Sequence, residues 1–182
     1  MIYSILLGAD IEDKDCALIN ELLCAHYGAS HANNNMSKLA FVNSFVGSGN
    51  PYMATIGALS TLGNTHGPVV EARETIYEYK NRIEDIIFTG GKVPGYGGAF
   101  FKDRIDPAFI PVVDIIQSTE KYKILQDGAD LINRSKGRKA VYPNPAGITA
   151  CVAELLGLPK YMETWFFLVG RSAQWFLTIN AL

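Results

Sequence analysis

The stretch Asp15-Cys16-Ala17-Leu18-Ile19-Asn20-Glu21-Leu22-Leu23-Cys24-Ala25-His26 decides the fold class. Leu18, Ile19, Leu22 and Leu23, with His26 after them, recur at intervals of three and four, as one buried helical face requires. Beyond it, His31 to Asn35 is polar and turn-rich. Ser37 then stands as an N-cap candidate ahead of an apolar helix from Leu39 to Val46. Gly47, Gly49, Asn50 and Pro51 break that helix and start a third one, with Asn50 as cap and Pro51 at the first helical position, running to about Leu62. On the N-terminal side, the first seven residues are the one place where a strand can be read.

Farther along, Gly63 to Pro68 is a second break of the same kind. Val69, Ala72, Ile76, Tyr79, Ile83 and Ile86 then mark a long amphipathic helix, whose polar face (Glu71, Arg73, Glu74, Glu78, Lys80, Arg82) reads as solvated. Gly90 to Gly98 carries five glycines and Pro94 and is a loop with accessible backbone amides. After a turn at Asp106-Pro107, a helix covers Pro111 to about Ile132, with Asp127-Gly128 as a point of interruption, and Arg134 to Arg138 is a basic surface connection. Tyr142-Pro143-Asn144-Pro145 cannot continue a helix. Ile148, Val152, Leu155 and Leu156 define the next one, ended by Gly157-Leu158-Pro159, and a last helix begins near Met162. The expectation is a single all-α domain over residues 1–182, with no internal repeat.

At 182 residues with 48% hydrophobic and 19% charged side chains, the chain has enough apolar surface for one core and too little charge for disorder. Its formal charge of -2 offers no general attraction to nucleic acid or to anionic lipid. The longest apolar runs, such as Trp165 to Val169, fall far short of a bilayer span. The start of the chain has no basic region of a secretory leader, so a soluble cytoplasmic protein is expected. Cys16, Cys24 and Cys151, without CxxC spacing, read as reduced and buried.

Few residues offer chemistry. His66 stands at a helix entrance, where the macrodipole disfavours imidazolium, so it would stay neutral and donate a hydrogen bond to developing negative charge such as an enolate; the plainer alternative is a helix cap. His26 falls on an apolar face and reads as a packed core residue, while His31 in the Asn-rich turn has no clear role. No metal-ligand spacing, GxSxG elbow or P-loop occurs, so no metal site is expected.

Four segments, in order, nevertheless form a pattern. They are Ser37 through Ala54 to Thr65-His66-Gly67-Pro68; Val93-Pro94-Gly95-Tyr96-Gly97-Gly98 with Lys102 and Asp106-Pro107; Pro143-Asn144-Pro145-Ala146-Gly147 ahead of Glu154 to Pro159; and Gly170-Arg171 with Gln174-Trp175. From Asp10 to Trp175 the chain resembles the citrate synthase and citryl-CoA lyase family, in a short and divergent form. The resemblance implies a truncated citrate synthase-like helical fold, with Gly90 to Leu158 approximating the family's small domain.

It also implies a site. In that family a His at a helix start stabilises the enol of an acyl-CoA, and His66 matches it. The acid and the base of the family fall at Gly98 and Ala146, so both are missing here. Arg171 matches an arginine that clamps the carboxylate substrate. A second arginine normally follows the Asp-Pro pair, where this chain has Ala108, with Arg104 lying before the pair. His31 is the nearest match to a His that touches the keto acid. The loop Val93, Pro94, Gly95, Tyr96, Gly97 and Gly98 matches the segment that holds coenzyme A through backbone groups. The implied ligands are an acyl-CoA thioester as substrate and a small carboxylate, with no permanently bound cofactor. Association as a homodimer is implied through Leu39 to Leu62. Two functions remain open: carbon-carbon bond formation or cleavage beside a CoA thioester, with Asp103 and Asp106 the nearest carboxylates, or a non-catalytic binding or assembly module.

Overall fold

The computed structural model describes residues 2–8, 10–29, 36–62, 69–79, 81–98, 100–135 and 139–179. The helices are α1 (Ile2–Leu7), α2 (Asp13–Gly28), α3 (Met36–Ser48), α4 (Pro51–Leu59), α5 (Val69–Arg73) with a π-helical turn at Glu74–Glu78, α6 (Arg82–Phe88), α7 (Ile110–Ile116) entered through a 3-10 turn at Pro107–Phe109, α8 (Glu120–Arg134), α9 (Pro145–Leu155) and α10 (Glu163–Ile179). Among the described residues there is no strand, only an isolated antiparallel bridge between Tyr96 and Pro143. The all-α expectation holds. No helix among the described residues is long and apolar enough to cross a membrane.

The centre of the fold is α9. Every residue from Ala146 to Ala153 is buried, which its small side chains (Ala, Gly, Thr, Cys) permit because α5, α8, α2 and α10 all pack against it. Asn144 starts it: its side-chain oxygen accepts from the backbone N–H of Ala146 at 2.9 Å and of Gly147 at 3.1 Å, and Pro145 occupies the first helical position. The same Asn144 ties down the glycine-rich loop. Its backbone N–H donates to the Gly95 carbonyl at 2.9 Å and its side-chain amide donates to the Gly97 carbonyl at 2.9 Å. Gly95, at φ 89°, lies flat on α9, and a Cβ on Gly147 would overlap the Gly95 carbonyl. Gly128 opens α8 in the same way for Tyr96, whose hydroxyl donates to the Leu125 carbonyl at 3.0 Å.

A second, smaller core lies between α3, α4 and the end of α10, where Phe41, Ala54, Ala58 and Trp175 are buried together. Gly57 lets α4 approach α3, since a Cβ there would overlap the Ser44 side chain.

Several segments depart from the sequence reading. Of the first seven residues, Ile2–Leu7 form α1, not a strand. The long helix expected from Val69 to Ile86 breaks at a π-helical turn and again at Asn81, which takes the left-handed conformation (φ 70°) that Asn tolerates better than most residues. The helix expected from Pro111 to Ile132 is two, because Thr119 caps α8 by accepting from the Tyr122 N–H at 3.3 Å; Gly128 interrupts nothing. Ser37 lies inside α3 and is buried, not a cap. Of the cysteines, Cys151 is buried and burial pushes its thiol up to about 11, whereas Cys16 is half-buried and Cys24 exposed, because Cys24 falls on the solvent side of α2.

The polar face of the 69–86 segment is not merely solvated. Arg73 bonds Glu154 at 2.7 Å and reaches the fully buried Glu163 at 3.4 Å, and Lys121 bonds Glu154 at 3.0 Å, so that α5, α8, α9 and α10 share one ionic network; Lys160 pairs separately with Glu74 at 2.5 Å. Burial favours the neutral form of Glu154, but hydrogen bonds from Arg73 and Lys121 outweigh it and hold the carboxyl below its ordinary range. A carboxyl so held adds stability above its unfolded value and loses it as pH falls through the folded one.

Two outcomes follow. Glu154→Gln should lose about 1–3 kcal/mol in urea unfolding at neutral pH, the usual worth of hydrogen bonds to a charged group, and the difference from the native chain should shrink in acid below the carboxylate range. Gly147→Ala should cost about 1–3 kcal/mol by overpacking against the Gly95 backbone, read as a lower melting temperature.

Candidate functional site

Arg171 sits where α10 crosses α2. The crossing is close because position 170 is glycine; a Cβ there would stand 2.8 Å from the Leu23 carbonyl and would overlap the His26 side chain. Two polar side chains are thereby driven into the core together.

His26 is 0% exposed. Its ring lies edge-on to Phe109 (centroids 5.1 Å apart) and to Phe167 (5.6 Å), and its Nε2 is 2.8 Å from the Thr149 hydroxyl oxygen. That hydroxyl spends its one proton on the Pro145 carbonyl at 2.7 Å, so His26 Nε2 must carry the hydrogen and donate to Thr149. Nδ1 is then the bare nitrogen, and it has no partner among the described residues. Burial, and then the positive charge of Arg171, pushes the imidazole well below its ordinary value, which keeps it neutral.

Arg171 is 6% exposed, its guanidinium lies 5.1 Å from the Phe167 ring centroid, and its Nε and Nη1 are buried without a hydrogen-bond acceptor among the described residues. Burial draws its pKa down to about 10, with the charge of Asp106 working the other way. Asp106 itself accepts from the Ala108 N–H at 3.0 Å and caps the turn that leads into α7. A guanidinium buried with two donors unmet is costly in a folded protein, and an entering anion would satisfy it.

The loop Val93 to Gly98 is held firmly. The Tyr96 N–H donates to the Val93 carbonyl at 3.3 Å, the Gly97 N–H to the Tyr142 carbonyl at 2.9 Å, and the Gly95 and Gly97 carbonyls are taken by Asn144. Its glycines therefore answer to packing on α9 as well as to any ligand. Beside it, a cleft of about 800 Å³ runs between α8 and the segment 141–143, lined by Lys123, Gln126, Asn133, Tyr142 and Pro143 among others.

The two positions at which the resemblance leaves acid and base missing are closed. A Cβ on Gly98 would lie 2.9 Å from the Phe101 carbonyl oxygen, so no side chain fits there unless that turn moves. Ala146 is buried in the first turn of α9. Asp103 and Arg104 are exposed, and Asp106 is half-buried. His66 and His31 lie outside the described residues. Of the anticipated residues, Arg171 and the loop are thus located, and they belong to different edges of α9's surroundings. The one that sequence reasoning assigned to packing alone, and which the fold sets beside Arg171, is His26. A polar residue on an otherwise apolar helical face was its signal, but that pattern does not say what it faces.

Comparison with known proteins gives a consistent result. The family model for the citrate synthase C-terminal domain matches residues 10–180. Among solved structures, citryl-CoA lyase from Hydrogenobacter thermophilus is similar, with 24% identity and a TM-score of 0.79 over 98% of this chain and 73% of that one. Citrate synthase from Thermotoga maritima MSB8 is also similar, with 24% identity and a TM-score of 0.75 over 98% of this chain and 51% of that one, so this chain spans about half its length. No curated protein matches.

Replacing the buried guanidinium tests whether it serves the fold. Arg171→Met should leave the ligand-free protein at least as stable, by up to about 2 kcal/mol, since an uncompensated buried charge is exchanged for apolar volume; thermal unfolding measures it, and a large loss would mark Arg171 as structural.

Proposed function

The chain belongs to the citrate synthase family, and from that premise we propose that it binds a small carboxylate at Arg171 together with a coenzyme A thioester. The carrying observation is the buried guanidinium with two donors unmet among the described residues, which an anionic oxygen pair satisfies in the planar, two-pronged manner arginine favours. His26, whose imidazole feels the Arg171 charge, stands beside that guanidinium in this reading. The thioester is assigned to the Val93–Gly98 loop and the adjoining cleft along α8.

Within the family's range, from carbon-carbon bond formation or cleavage to ligand binding alone, two facts favour a binding or assembly module. Position 98 is a glycine with no room for a side chain, and position 146 is a buried alanine, so neither can move a proton. Proton transfer in the family's manner needs such groups within about 3 Å of the reacting atoms. The second reading, turnover, draws support from Asp106, a carboxylate whose charge reaches Arg171.

The homodimer belongs to this proposal as well. The α3–α4 hairpin exposes Val46 (71%), Tyr52 (78%) and Ile56 (57%), an apolar surface that a second copy would cover.

Two measurements test the proposal. Acetyl-CoA incubated with the protein in deuterated water should bind, by calorimetry, without exchanging its methyl protons; exchange that is lost in His66→Ala would establish turnover instead, and absence of any acetyl-CoA or carboxylate binding would overturn both readings. Ile56→Glu should convert the dimer to monomer in sedimentation velocity without loss of helix content.

A further inference from the structure

Arg171 and His26 meet around one aromatic ring, Phe167, with the guanidinium 5.1 Å from its centroid and the imidazole centroid 5.6 Å away. Both present buried nitrogens with no partner among the described residues, yet they ask for opposite things. Arg171 Nε and Nη1 are donors and call for an anion. His26 Nδ1 is a bare acceptor, because Nε2 is committed as donor to Thr149. A ligand that offers only acceptor oxygens satisfies the first and sets lone pair against lone pair at the second.

We propose that His26 determines which acid the site accepts: a hydroxy acid donates its O–H to Nδ1 and binds with the imidazole neutral, whereas an oxo acid binds only when Nδ1 takes up one proton. The step forms one N–H bond with a proton from solvent, and nothing else is made or broken. The inference rests on the carboxylate reading of Arg171.

The surroundings support the coupling from each element packed on the ring. From α10, Arg171 sets its positive charge against protonation, together with burial. From α9, Thr149 can accept from Nε2 in either protonation state. The aromatic faces of Phe109 and Phe167 carry no charge. From the turn before α7, Asp106 acts on Arg171. Both acids set the same anion on Arg171, so the difference lies at Nδ1: an oxo oxygen offers only an acceptor and favours Nδ1–H, whereas a hydroxyl that donates to Nδ1 holds the imidazole neutral.

Malate and oxaloacetate, which differ in hydroxyl against oxo, form the matched pair of probes. Calorimetry of the full chain in two buffers of different ionisation heat should give uptake of about one proton with oxaloacetate and close to none with malate. Between about pH 6 and 8, oxaloacetate affinity should fall up to about tenfold per pH unit while that of malate stays flat. His26→Gln keeps an N–H for Thr149 but cannot titrate, so it should abolish both the uptake and the slope. The 15N shifts of the His26 ring in the native protein read the same protonation directly, whether or not the variant folds. Equal proton counts for the two acids, or an unprotonated Nδ1 in the oxaloacetate complex, would overturn this inference and leave the Arg171 reading intact; failure of both acids to bind would overturn both.

Discussion

The contact between two backbones, at Gly95 and Gly147, governs the rest of the architecture. Neither residue tolerates a Cβ at this spacing: one on Gly95 would stand 3.2 Å from the Gly147 Cα and 2.8 Å from Ile76, and one on Gly147 would overlap the Gly95 carbonyl. With the loop pressed this closely onto α9, Asn144 can do three things at once. It caps the helix, receives the loop through its main chain, and fastens Gly97 through its amide. Because α9 is wholly buried around this joint, α2, α5, α8 and α10 take their positions from it.

The helices around α9 were legible in the sequence where local chemistry and tertiary packing agree. Asn50-Pro51 and Asn144-Pro145 are cap-and-proline pairs that state a helix start outright, and both start helices at those residues. The reading failed where a continuous apolar period concealed a break. Val69 to Ile86 keeps helical spacing across the π-helical turn and Asn81, because that turn adds residues without disturbing which side chains are apolar. Period alone does not report it.

The site divides in the same way. In the proposed site, Arg171 and the glycine loop come from motif and order, as do Gly98 and Ala146 at the positions without acid or base. What could not be read was that Gly98 is sterically closed, since that depends on the Phe101 carbonyl folding back over it. Nor could pattern distinguish a histidine that fills space from one that borders a guanidinium. His26 is both, and its partner comes from a helix about 145 residues further along the chain, so no local rule reaches it.

Arg171 and Trp175 stand four residues apart on α10, a single helical turn. The first is the buried guanidinium beside α2, and the second closes the small core under the α3–α4 hairpin, stacked 6.1 Å from Phe41. One rigid stretch of backbone thus carries both the charge and the keystone of the neighbouring compartment. A twist of α10 that adjusted the guanidinium to its guest would turn the indole with it, and pressure applied to the hairpin from outside would travel back along the same shaft.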